Sequence, residues 1–78
     1  MTDHIVSAFN KELEALDRKI AEMGGISEKM LMEAMDALSN LNLDLAQEVI
    51  AADMRLDILQ REIEDSAILT IARRQPMA

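Results

Sequence analysis

The sequence predicts an all-α chain, a long antiparallel helical hairpin, and three observations lead there. Residues that lose little rotamer freedom in a helix dominate, while Phe9 is the single aromatic and seven Met supply much of the apolar bulk. Apolar positions recur alternately four and three apart over two long stretches. Between the stretches lies one strong turn signal, Ser39-Asn40-Leu41-Asn42-Leu43-Asp44.

The first helix is expected over about residues 4–40. Phe9, Leu13, Leu16, Ile20, Met23, Ser27, Met30, Ala34, Ala37 and Leu41 form a heptad seam, widened in its second half by Leu31, Met35 and Leu38. Thr2 or Asp3 is a plausible N-cap, and Glu14 with Arg18 makes a favourably oriented pair on the outer face. Gly24-Gly25 costs about 1 kcal/mol per residue inside a helix, which argues for a break. The seam nevertheless keeps its phase from Met23 through Ser27 to Met30, and a loop has no reason to preserve register. One helix, bent at the glycines, is the favoured reading.

The turn is expected at about residues 40–44, where Asn and Ser compete with helical hydrogen bonds and Asn42 or Asp44 caps the second helix. That helix, about 45–74, carries Leu45, Val49, Ala52, Leu56, Leu59 and Ile63 in four-three alternation. Pro76 disfavours helical backbone at Gln75, and Arg73-Arg74 complements the carbonyl end of the helix dipole. A connection this short makes the helices antiparallel neighbours. Two helices cannot cover seams of this width, so the chain reads as one helical unit over 1–78 whose third helix is lost or supplied by another chain.

Beside the seam of the second helix runs a stripe of Ala46, Ile50, Asp53, Asp57, Gln60, Glu64, Ala67 and Ile71, apolar at its ends and acidic or amide-bearing in the middle. Asp53 and Asp57 lie four apart, so their Cβ atoms are about 5–6 Å apart and their like charges repel by a few tenths of a kcal/mol. Two readings stay open. A cation between them would be held by oxygen ligands, suiting Mg, Ca, Mn or Fe and needing completion from a facing helix. Alternatively Asp57, Arg61 and Asp65, each four apart, form a solvated ion-pair ladder.

Composition narrows the function classes. The formal charge of −7 interleaves acids and bases, which argues against direct contact with nucleic acid or anionic lipid. Cys is absent, so neither disulfides nor thiolate metal sites are available, in keeping with a cytoplasmic protein. No signal pattern opens the chain, and no apolar run approaches the ~18 residues of a membrane span. His4, at a fraying terminus, is expected to be neither ligand nor base, and the Met residues read as flexible core filler. With no phosphate loop, Ser/His/Asp set or Cys nucleophile, an enzyme is not expected.

The run Leu45 to Ala78, with VI-x-x-D-x-x-x-D and the closing I-A-x-R-Q-P-M-A, resembles the first-repeat segment of PhoU-type phosphate transport system regulators. The opening F-N-K-E-L and A-E-M-G resemble that family's first helix. The resemblance implies an all-α fold of two three-helix repeats, of which this chain would be two thirds of one bundle, completed by self-association. It implies a non-enzymatic negative regulator of the phosphate-starvation response, acting with the phosphate ABC transporter ATPase and its sensor histidine kinase. Membrane association would come only through those partners. It also implies that Asp53 and Asp57 match one of the family's paired acidic metal motifs, for a divalent or trivalent metal (Fe, Mn, Mg or Zn) in the full-length parent. The chain departs from the family pattern in lacking the third helix, with its partner E-x-x-x-D, and the second repeat. The alternative is a self-associating helical hairpin with a scaffold role alone.

Overall fold

A helix of 39 residues rises about 58 Å at 1.5 Å per residue. That length sets the long dimension of the molecule, 59 × 19 × 13 Å. The computed structural model describes residues 2–74. It contains α1, Thr2–Asn40, and α2, Leu43–Arg74, packed antiparallel along their length. Asp3 and Asp44 lie in the first turns and Arg73 and Arg74 in the last turn of α2, each matched in sign to the local helix dipole. The expected stop at Gln75-Pro76 lies outside the described residues, as does Met1.

α1 runs through Gly24-Gly25 without interruption, with neither glycine at positive φ. The turn between the helices is two residues long and fully specified. Leu41 adopts a left-handed conformation (φ 50°), and the Asn42 N–H donates to the Ala37 carbonyl at 2.9 Å, five residues back. This is the six-to-one bond of a Schellman closure, made here without the usual glycine. Asn42 then starts α2. Its Oδ1 accepts from the Leu45 N–H at 3.1 Å and its carbonyl from the Ala46 N–H at 3.0 Å. Of the two caps expected, Asn42 performs the role; Asp44 sits inside the first turn.

The seam of α2 is the expected one. Leu45, Val49, Ala52, Leu56, Leu59 and Ile63 are all half-buried or buried, and the line continues through Ser66 and Thr70. On α1 the phase differs. The half-buried and buried positions include Phe9, Glu12, Leu16, Lys19, Met23, Ile26, Met30, Glu33 and Ala37, alternately three and four apart, with Ala15, Ser27 and Ala34 half-buried beside them. Phe9, Leu16, Met23, Met30 and Ala37 belong to both phases, and Ser27 and Ala34 of the expected seam are half-buried as well, but Leu13 (41% exposed), Ile20 (54%) and Leu41 (83%) stand outside the interface. The physical reason lies in the flank α2 takes. Glu12, Lys19 and Glu33 stand half-buried on the flank that α2 takes, and the Glu12 carboxylate reaches Arg74 across the interface. On the other flank of α1, Val6, Leu13, Ile20 and Leu41 remain exposed.

Candidate functional site

The hairpin has two unlike faces, and heptad register assigns residues to them. On α1, Val6, Leu13, Ile20, Ser27, Ala34 and Leu41 recur every seven residues along one side of the seam. On α2, Ala46, Asp53, Gln60 and Ala67 do so, with Ile50, Asp57, Glu64 and Ile71 beside them. At the turn end these sides meet in an open groove of about 380 Å3 lined by Ala34, Leu38, Leu41, Ala46, Val49 and Ile50. The opposite face is charged: its groove is lined by Lys29, Glu33, Glu48 and Arg55, and Lys29 Nζ lies 3.6 Å from Glu33 Oε1.

Asp53 and Asp57 therefore belong to the apolar face and interrupt it. Ile26 and Met30 line one cleft with Ala52 and Arg55, and Glu22 lines another with Ile58 and Leu59. Gly24, Gly25 and Ser27 are thus level with the two aspartates, and the face is polar or bare at one height on both helices. Both glycines are open, since an added Cβ would meet no atom within 4 Å beyond the helix's own nearby backbone. Asp53 and Asp57 are exposed. Among the described residues no ion pair joins Asp57 to Arg61 or Glu14 to Arg18, so neither the expected ladder nor the outer-face pair closes. Gln60 instead donates from Nε2 to Glu64 Oε1 at 3.0 Å.

Two exposed carboxylates do not by themselves fit a resident metal. Mg or Ca takes about six or more oxygens and Zn about four ligands. Among the described residues no three His, Cys, Asp or Glu converge as a metal-holding group.

The charged constellation that tertiary packing does assemble was not visible in the sequence. At the open end, Arg74 Nη2 donates to Glu12 Oε1 at 3.0 Å and Arg73 Nη1 approaches the same oxygen at 3.5 Å. Arg74 Cζ also stands 5.8 Å from the centroid of the Phe9 ring, a cation–π arrangement. Glu12 and Arg74 side chains are each 25% exposed, and Glu12 Oε2 and Arg74 Nε are buried with no hydrogen-bond partner among the described residues. The signal was Glu12 three residues after Phe9, legible only with α1 in its observed phase. No helix among the described residues is long and apolar enough to cross a membrane.

A family model described as the PhoU domain matches residues 20–78. A phosphate-specific transport system accessory protein PhoU homolog of Rhizobium meliloti (strain 1021) is 53% identical over 75 residues, covering 96% of this chain and 32% of that relative. One from Caulobacter vibrioides (strain NA1000 / CB15N) is 45% identical over 78 residues, all of this chain and 34% of the relative. The phosphate-specific transport system accessory protein PhoU of Escherichia coli (strain K12) is 36% identical over 78 residues, all of this chain and 32% of the relative. The chain spans about a third of the length of these curated relatives. No solved structure matches it. With its all-α hairpin and a family match over most of its length, the chain belongs to the PhoU family.

Proposed function

We propose that this chain serves phosphate-specific transport as a non-enzymatic accessory segment. The observation that carries this reading is the family match over residues 20–78, together with relatives named for that system. In this reading it works in the cytoplasm as a negative regulator of the phosphate-starvation response. Its partners are the ATPase of the phosphate ABC transporter and the sensor histidine kinase. The uncovered apolar face suits a protein that works by docking, because an exposed patch of this extent marks an interaction surface. Asp53 and Asp57 would take part in binding Fe, Mn, Mg or Zn only with further carboxylates from outside the hairpin. The test is retention: immobilised chain is mixed with purified transporter ATPase or kinase domain. Capture of either, abolished by Leu13→Glu with Ile20→Glu, is expected; retention of neither overturns the reading.

A second reading, a self-associating hairpin with a scaffold role, is favoured by surface area. The chain exposes 6467 Å2, whereas a compact monomer of its mass exposes about 4,700 Å2. Pairing of two apolar faces into a four-helix bundle would remove much of that excess.

A further inference from the structure

The uncovered face of the hairpin has an order along the rod that a second copy of the same chain matches. On α1 its ends are apolar, with Val6 and Leu13 towards the open end and Leu31 and Leu38 towards the turn, and its middle is bare at Gly24-Gly25. On α2 its ends are apolar as well, with Ala67 and Ile71 towards the open end and Ala46 and Ile50 towards the turn. Its middle is acidic, at Asp53 and Asp57. The heights agree within the hairpin. Leu38 and Leu41 share the turn-end groove with Ala46 and Ile50, Phe9 and Glu12 meet Arg74 at the open end, and the glycines are level with the aspartates.

The amount of surface sets the kind of occupant. The chain exposes about 1,700 Å2 more than a compact monomer of its mass, so two copies carry an excess of about 3,500 Å2, within the roughly 2,000–5,000 Å2 of obligate homodimer interfaces. Two face-to-face pairings obey two-fold symmetry. With the axis across the rod, the turns lie at opposite ends and α2 lies on α2. The middle of the rod is near Leu59, so full overlap sets Asp57 against the Gln60–Glu64 stretch of the second copy, and acid meets acid. With the axis along the rod, the turns lie together and α1 of each copy lies on α2 of the other. That axis preserves height, so apolar ends meet apolar ends, and Asp53 and Asp57 face the bare glycines. The space beside both glycines is open, which leaves room for water on the carboxylates. Glu64, nearer the open end, already has one oxygen satisfied by Gln60. We infer that two copies pair in this second way, a dimer with both turns at one end whose glycine notches receive each other's aspartates. This pairing rests on the self-associating reading above and gives it a geometry.

The test uses the full chain, whose lack of Cys makes a single introduced one unique. Ser39→Cys near the turn and Ser7→Cys near the open end, both exposed positions, are each spin-labelled. Double electron–electron resonance then reads the distance between copies. Both label pairs are expected within about 30 Å, the width of a four-helix bundle whose helices lie about 10 Å apart. A separation of about 50 Å between Ser39 labels, from 1.5 Å per residue along the rod, would mean turns at opposite ends; it would overturn the pairing and leave self-association standing. A monomer in sedimentation equilibrium, with no distance between copies, would overturn both. Gly24→Glu should weaken dimerisation about tenfold relative to Gly24→Gln, of matched helix propensity, because its carboxylate meets Asp53 and Asp57 of the second copy. Equal association of these two variants would also overturn the pairing.

Discussion

Leu41 is held at φ 50°, where its Cβ crowds the following carbonyl, a conformation that costs an L-residue about 1–2 kcal/mol. The side chain is almost fully exposed, so within the hairpin little packing offsets that cost. Leu41→Gly should therefore raise the hairpin's stability by a few tenths to about 1 kcal/mol, the strain relief exceeding the extra chain entropy of glycine. Urea unfolding followed by circular dichroism checks it; a lower midpoint would show that Leu41 is held by contacts outside the hairpin. The aspartates behave differently. Asp53→Ala with Asp57→Ala should leave helicity unchanged or raise it slightly, because two exposed like charges four apart lose their mutual repulsion of a few tenths of a kcal/mol. A loss of several kcal/mol would mean the pair is structural, through a metal or a partner group.

At the scale of the helices, Gly24 and Gly25 are the weakest link of α1. They sit in uninterrupted helix with open space where side chains would project. Gly24→Ala and Gly25→Ala should each stabilise α1 by about 1 kcal/mol, since alanine removes the entropic cost without a clash. A thermal melt of each variant tests this. Propensity argued for a break at these glycines, and register overruled it: packing on α2 rewards a continuous seam from Met23 to Met30. The same packing explains why the turn could be read well. Asn42 was legible as a cap because its side chain acts locally, on the Leu45 N–H three residues on.

At the scale of the whole molecule the hairpin is a rod. Its radius of gyration is 17.8 Å, where a compact chain of this length has about 11.5 Å. Among the described residues the buried apolar ones are Ala37 and Leu59, few beside the exposed Leu, Ile and Met of the uncovered face. Each such side chain returned to an apolar contact recovers on the order of 1.5–3 kcal/mol. The chain by itself is thus expected to self-associate at micromolar concentration, with a melting temperature that rises with concentration. Light scattering of a monomer that melts cooperatively at one concentration-independent temperature would contradict this.

By itself the sequence determined the helices, the turn, the α2 seam and the family resemblance, because these rest on local propensity, on a cap acting over three residues, and on periodicity along one chain. It also placed Asp53 and Asp57 side by side, since helical spacing alone does that. Tertiary structure decided which flank of α1 faces α2. A stripe broader than the contact it needs offers two phases through Phe9, Leu16, Met23, Met30 and Ala37, and only the partner helix selects between them. That selection leaves Leu13 and Ile20 uncovered, and it brings Glu12, Lys19, Ser66, Thr70, Arg73 and Arg74 to one end from positions more than forty residues apart.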